Sequence, residues 1–200
     1  MVAAALTLAV CAAAAPSVAT GQDRCEAPVS HTLAADAVAR VFASSGAVYG
    51  CIDATGVRRN LGGSGVCNLP AGRVGPARLV GVTVAYGLKS CGVDTASSKV
   101  LVRDLARSRP LTDVPATTLP LRAESFVTVA TLVLRGGGEI GWIAAVASIG
   151  TPHETYEVHR VVDGTPTLLD SGTTIHPSSL RLVRSRMTWR DGSVTRSARL

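Results

Sequence analysis

Two stretches of this 200-residue chain hold side chains that could do chemistry. The first is His153-Glu154-Thr155-Tyr156-Glu157-Val158-His159. On a strand, successive side chains point to opposite faces, so His153, Thr155, Glu157 and His159 share one face. Two imidazoles and a carboxylate would suit zinc. The zinc motif H-E-x-x-H, however, needs two histidines one helical turn apart, and this spacing does not supply it. Tyr156 and Val158 on the other face describe an ordinary half-buried strand. The second stretch is Asp170-Ser171-Gly172 with His176 close behind, the ingredients of a serine nucleophile and its base. Neither Ser171 nor the serine of Gly62-Gly63-Ser64-Gly65 sits in the G-x-S-x-G register or in a strand–elbow–helix context. The glycine run also lacks the lysine and the helix start that hold a phosphate. Asp94, Asp104 and Asp113 are too scattered to serve as an acid and its partner. No catalytic, cofactor-binding or metal-ligating residue is therefore nominated, and no cofactor is expected.

The remaining polar signal is charge. The chain carries +6, with 18 Arg and only Lys89 and Lys99 as lysines. Arg181, Arg184, Arg186, Arg190, Arg196 and Arg199 crowd the C-terminus, opposed there only by Asp191. A nucleic-acid site would interleave such a stripe with stacking aromatics, and only Trp189 is near. A solvated basic face is the expectation, with no nucleic-acid partner.

Val2–Pro16 is apolar and uncharged, and Ser17-Val18-Ala19 ends it with small residues around a cleavage point. Residues 1–19 are read as a secretory signal peptide, although no Lys or Arg precedes the apolar run. Leu8-Ala9-Val10-Cys11 approaches a lipobox, but Val10 stands where a small residue is required. The expected product is residues 20–200, secreted or held in the cell envelope, with no membrane span after signal removal. Four cysteines then remain, Cys25, Cys51, Cys67 and Cys91, and an even number in an exported chain points to two disulfides. Three connectivities are open; Cys25–Cys51 and Cys67–Cys91 close the short loops between neighbouring segments and are the pairs expected.

Strand patterns fill the mature chain. Short Val-, Thr- and Leu-rich runs alternate with Gly, Asp and Ser turns, the rhythm of all-β folds. Asp163-Gly164, Asp191-Gly192 and Gly136-Gly137-Gly138 each sit between two such runs as hairpin turns. One segment, Leu33–Phe42, suits a helix by its alanines and a strand by Val38, Val41 and Phe42. A weak repeat is also present: Phe42, Tyr86, Trp142 and Trp189 follow apolar stretches at intervals of 44, 56 and 47 residues. A second strand follows each aromatic, and the fourth unit stops one strand short. These aromatics are expected in the core before any sugar-stacking role.

Over residues 30–200 the chain resembles the TolB-like and WD40-like propeller repeats of exported bacterial proteins. The resemblance rests on Val84-Ala85-Tyr86, Val100-Leu101-Val102-Arg103-Asp104-Leu105, Gly141-Trp142-Ile143 and Leu168-Leu169-Asp170-Ser171-Gly172. It implies about four blade-like antiparallel units, a small or incomplete β-propeller, with a two-sheet β-sandwich as the alternative. Pro28–Ala34 pairing onto the last unit would close the ring; otherwise the units form an open stack whose exposed edge needs a partner. The function expected is a non-enzymatic binding or scaffolding module for an envelope protein or polysaccharide. The alternatives are an extracytoplasmic hydrolase using loops such as Ser90–Ser98 or Ile149–Glu154, or a carbohydrate-binding protein.

Overall fold

The computed structural model describes residues 22–27, 30–67, 72–107, 109–120, 124–150 and 153–200. Residues 1–19, read above as a signal peptide, and Cys11 with its lipobox-like surroundings lie outside these residues. The chain is all-β apart from one helical turn, α1 (Gln22–Cys25). Its strands fall into four antiparallel meanders. The first unit is β1 (His31–Ala35), β2 (Ala39–Ser44), β3 (Ala47–Ile52) and β4 (Val57–Gly63). The second is β5 (Arg73–Val80), β6 (Thr83–Cys91), β7 (Ala96–Asp104) and β8 (Arg109–Pro115), and the third is β9 (Ser125–Leu134), β10 (Ile140–Ser148), β11 (Thr155–Val162) and β12 (Thr165–Gly172). The fourth holds three strands, β13 (Arg181–Val183), β14 (Arg186–Asp191) and β15 (Val194–Arg199).

Within each unit every strand pairs antiparallel with the next, and one parallel bridge joins the first unit to the second and one joins the second to the third. Gly63 meets Arg73, and Ala96 meets Phe126. The first strands of the first three units lie against one another around a common centre, and β13 touches β9 there. This is a stack of propeller-like blades rather than a sandwich, because the apolar residues form one cluster per seam instead of one layer between two sheets. Val41, Val48, Val84 and Tyr86 fill the seam between the first and second units. Val100, Val129, Leu132 and Trp142 fill the next, and Ile143, Val158, Met187 and Trp189 fill the last. A single blade has apolar side chains on both faces and can bury them only by stacking.

The four repeated aromatics occupy the second strand of every unit, β2, β6, β10 and β14, and all are buried. Tyr86, Trp142 and Trp189 point back toward the preceding unit. Phe42 packs on Cys25, Cys51, Ala27 and Tyr49. The Cys25–Cys51 disulfide thus holds the N-terminal segment over the first blade, its Cα atoms 5.8 Å apart. Arg58 completes that cover, stacked 5.6 Å from the Phe42 ring centre while donating to the carbonyls of Arg24 and Glu26. Cys67–Cys91 ties the end of the first unit to the tip of β6. Two disulfides in one chain fit an oxidising, extracytoplasmic compartment.

Each seam also has a glycine socket. A Cβ on Gly50 would lie 2.5 Å from Leu105 of the second unit, and one on Gly87 would lie 2.9 Å from Val129 of the third. One on Gly141 would lie 2.7 Å from the Met187 sulfur of the fourth. The blades therefore approach until side chains of one fill hollows in the next.

Leu33–Phe42, which suited both a helix and a strand, takes the strand form: it spans the end of β1, a turn, and the start of β2. Asp36 fixes that turn by accepting from the N–H groups of Val38 and Ala39, and its other oxygen accepts from Gly81 of the second unit at 2.7 Å. Burial pushes its pKa up, but these three donors outweigh burial and hold it below the ordinary carboxylate value. Residues 28 and 29 lie outside the described residues, and the described part of Pro28–Ala34 does not pair onto the last unit. His31–Ala35 is committed to β2 as the inner strand of the first unit, and among the described residues no strand of the fourth unit pairs with the first.

Candidate functional site

The residues singled out for chemistry are not brought together. His153 is exposed, in a shallow depression with Glu154, Tyr156 and Thr173, whereas Glu157 and His159 are fully buried. Among the described residues no three His, Cys, Asp or Glu side chains cluster as a metal site would require. Asp170 is engaged by the Trp189 indole N–H at 2.7 Å and by Arg196 at 3.3 Å. The backbone of His176 pairs with Arg190 and Ser179, so His176 and Ser171 are held by the fourth unit and by β12 respectively. In the glycine run, the N–H groups of Gly63 and Ser64 donate to Gly72 and Gly46, which leaves neither free to cradle a phosphate.

Glu157 and His159 instead form a polar knot in the seam between the second and third units. The Thr117 hydroxyl donates to Glu157 Oε2 at 2.7 Å, and His159 Nε2 lies 2.8 Å from the same oxygen. Trp142 stacks on the His159 ring at 5.0 Å and donates its indole N–H to the Ala116 carbonyl. The alternation rule placed Glu157 and His159 on one face correctly; that face turns inward.

An open site lies elsewhere, at the centre of the stack. A cleft of about 510 Å³ opens where β1, β5 and β9 converge, within the range of small-ligand sites. Its apolar wall includes Leu33, Val48, Val74 and Val129, and its polar groups are His31, Arg73, Lys89, Ser64, Ser98 and Thr128. Among the described residues no carboxylate lines it. Local structure explains the shape: β5 is irregular between Val74 and Ala77, where Gly75-Pro76 interrupts the pairing with β6, and such bulges are where a strand tolerates proline. Arg73 and Lys89 are direct cross-strand partners, so two cations stand side by side at the cleft. Lys89 Nζ donates to Thr128 Oγ1 at 3.0 Å, which turns the ammonium across the cleft toward β9.

No family model matches the chain, and no curated protein matches it. Among solved structures it is similar to the subtype N10 neuraminidase-like protein of A/little yellow-shouldered bat/Guatemala/060/2010. The two share 9% identity with a TM-score of 0.45, over 80% of this chain and 51% of that one. The chain spans about half the length of that structure.

The electrostatics of the cleft are one-sided. Like charges directly opposite on neighbouring strands cost a few tenths to about 1 kcal/mol, and no ion pair among the described residues relieves Arg73 or Lys89. An anion between them would turn that repulsion into two attractions. Sequence reading missed this site because its cations are far apart in the chain and carry no local spacing. One signal was available: His31 and Arg73 are each the first residue of a unit's innermost strand.

Proposed function

We propose that the protein is an exported, non-enzymatic binding module whose central cleft seats a small ligand bearing an oxyanion. One observation carries the reading. Arg73 and Lys89 face each other across strands at the mouth of a cleft that no carboxylate lines among the described residues. His31 and the hydroxyls of Ser64 and Thr128 add donors, and Leu33, Val74 and Val129 supply an apolar wall for the rest of the ligand. A sugar acid, with one carboxylate on a compact ring, has this combination. The signal-like residues 1–19 and the two disulfides support export.

Catalysis has less support. The depression at His153 and Glu154, beside the loop Ile149–Glu154, would be the place for a hydrolase. There the Tyr156 hydroxyl donates to Glu154 at 2.8 Å, and that bond, with burial, holds the phenol above its ordinary pKa. A phenol so held is a poor nucleophile at neutral pH. Sugar stacking on the repeated aromatics is not favoured either, since Phe42, Tyr86, Trp142 and Trp189 are buried.

Isothermal titration tests the proposal. D-Glucuronate should bind the protein, glucose should not, and Arg73→Gln should abolish the heat of binding. Equal binding of glucose and glucuronate, or undiminished binding by Arg73→Gln, would overturn it.

A further inference from the structure

The outward face of the fourth unit differs from every other blade face. In β2, β6 and β10, the residues on either side of the aromatic are small or apolar: Val41 and Ala43, Ala85 and Gly87, Gly141 and Ile143. These pack into the following unit. In β14 the corresponding residues are Thr188 and Arg190, with Arg186 two residues before Thr188 on the same face. Met187 and Trp189 point back into the third unit, so Arg186, Thr188 and Arg190 point away from it. Cross-strand register adds Arg181 opposite Thr188, Arg199 opposite Arg186, Ser197 opposite Thr188 and Thr195 opposite Arg190.

This face is uncompensated. Asp191 and Asp170 are drawn to the other side, where Thr174 and Arg196 bind them; the bond from Thr174, with that from Arg196, holds Asp191 below its ordinary pKa. Among the described residues, no ion pair involves Arg181, Arg186, Arg190 or Arg199, and all four are exposed. Arg186 and Arg199 are again two cations directly opposite on neighbouring strands. A shallow depression of about 600 Å³ runs beside them, over Val183, Arg184, Thr188 and Ser197.

We infer that the β13–β15 face is a docking surface for an acidic polysaccharide. The charge requires an anionic partner, and several guanidinium groups spread across one sheet suit repeated carboxylates on a polymer better than one anion. Arg186 and Arg190 lie four residues apart on one strand, about 13 Å along the backbone, a spacing suited to anionic groups repeated along a polymer. A protein partner would want aromatic or large apolar anchors at the centre of the patch, and this face offers hydroxyls and Val183 instead. The absence of exposed rings equally disfavours single-stranded nucleic acid.

Affinity electrophoresis through gels containing polygalacturonate tests the inference. The protein should be retarded, the retardation should fall steeply with added salt, and neutral dextran should cause none. Arg186→Gln/Arg190→Gln/Arg199→Gln should remove it, whereas Arg73→Gln/Lys89→Gln in the central cleft should leave it in place. The three arginines are exposed, and an unchanged thermal midpoint verifies that the triple variant is folded. Equal retardation of the triple variant would overturn the inference, as would equal affinity for polyglutamate or single-stranded DNA. Loss of retardation only in the cleft variant would assign polymer binding to the cleft and overturn it too.

Discussion

Thr117, just beyond the outer strand of the second unit, donates its hydroxyl to Glu157 on the third strand of the next, 2.7 Å away in a fully enclosed seam. His159 shares the same carboxylate oxygen. A buried carboxylate is costly unless its partners are in place, so this contact fixes how the two blades meet. Thr117→Val removes one partner without changing shape. It should lower stability by about 1–3 kcal/mol in urea denaturation, the cost of leaving a buried acceptor short of a donor. An unchanged midpoint would show that Glu157 does not depend on Thr117.

The glycine sockets make a second prediction. Gly87→Ala places a methyl group 2.9 Å from Val129 Cβ and 3.1 Å from its Cγ2, at the wall of the central cleft. Overpacking of this kind costs about 1–3 kcal/mol. Val129→Ala in the same chain should relieve part of the cost, giving a favourable coupling in a double-mutant cycle. Strict additivity of the two changes would mean that the blades do not touch there.

The Cys25–Cys51 disulfide closes a loop of 26 residues over Phe42. Cys25→Ser/Cys51→Ser should cost about 3–4 kcal/mol by loop entropy. It should also expose Phe42 to solvent, read as faster amide exchange in β2. Loss of stability without faster exchange at β2 would mean that the cover holds without its staple.

Tyr86 predicts an alkaline limit. Burial pushes its phenol up to about 12; Arg103 pulls it down and Asp113 pushes it up. Its folded pKa is raised above the unfolded value of about 10, so the neutral phenol's contribution is complete below pH ~10 and is lost as pH rises toward ~12. The loss is on the order of 2–3 kcal/mol. Tyr86→Phe should flatten that part of the stability profile, while a profile identical to the parent's would place the alkaline limit elsewhere.

The blade plan was legible in the sequence because it is written in local patterns. The aromatics at 42, 86, 142 and 189 mark the second strand of each unit, and Asp163-Gly164 turns with φ of 52° and 78°, as a two-residue hairpin requires. Leu33–Phe42 could be read either way because alanine content measures only helix propensity, whereas Asp36 holds the turn through Val38 and Ala39 and ties it to Gly81 of the second unit. Glu157 and His159 were seen as sharing a face, but a strand of the third unit is covered on both faces by its neighbours, so alternation cannot say which side is wet. The cleft was illegible for a further reason. His31 of β1, Lys89 of β6 and Thr128 of β9 line one cleft only because strands of three units converge, and no spacing within one strand encodes that convergence.

The most direct test of the account follows backbone amide resonances while D-glucuronate is added. Anion binding at the centre of the stack predicts saturable shifts at His31, Arg73, Lys89 and Thr128, absent in Lys89→Gln and absent when glucose replaces glucuronate. Shifts confined to Arg186, Arg190 and Arg199, or shifts that persist unchanged in Lys89→Gln, would contradict it.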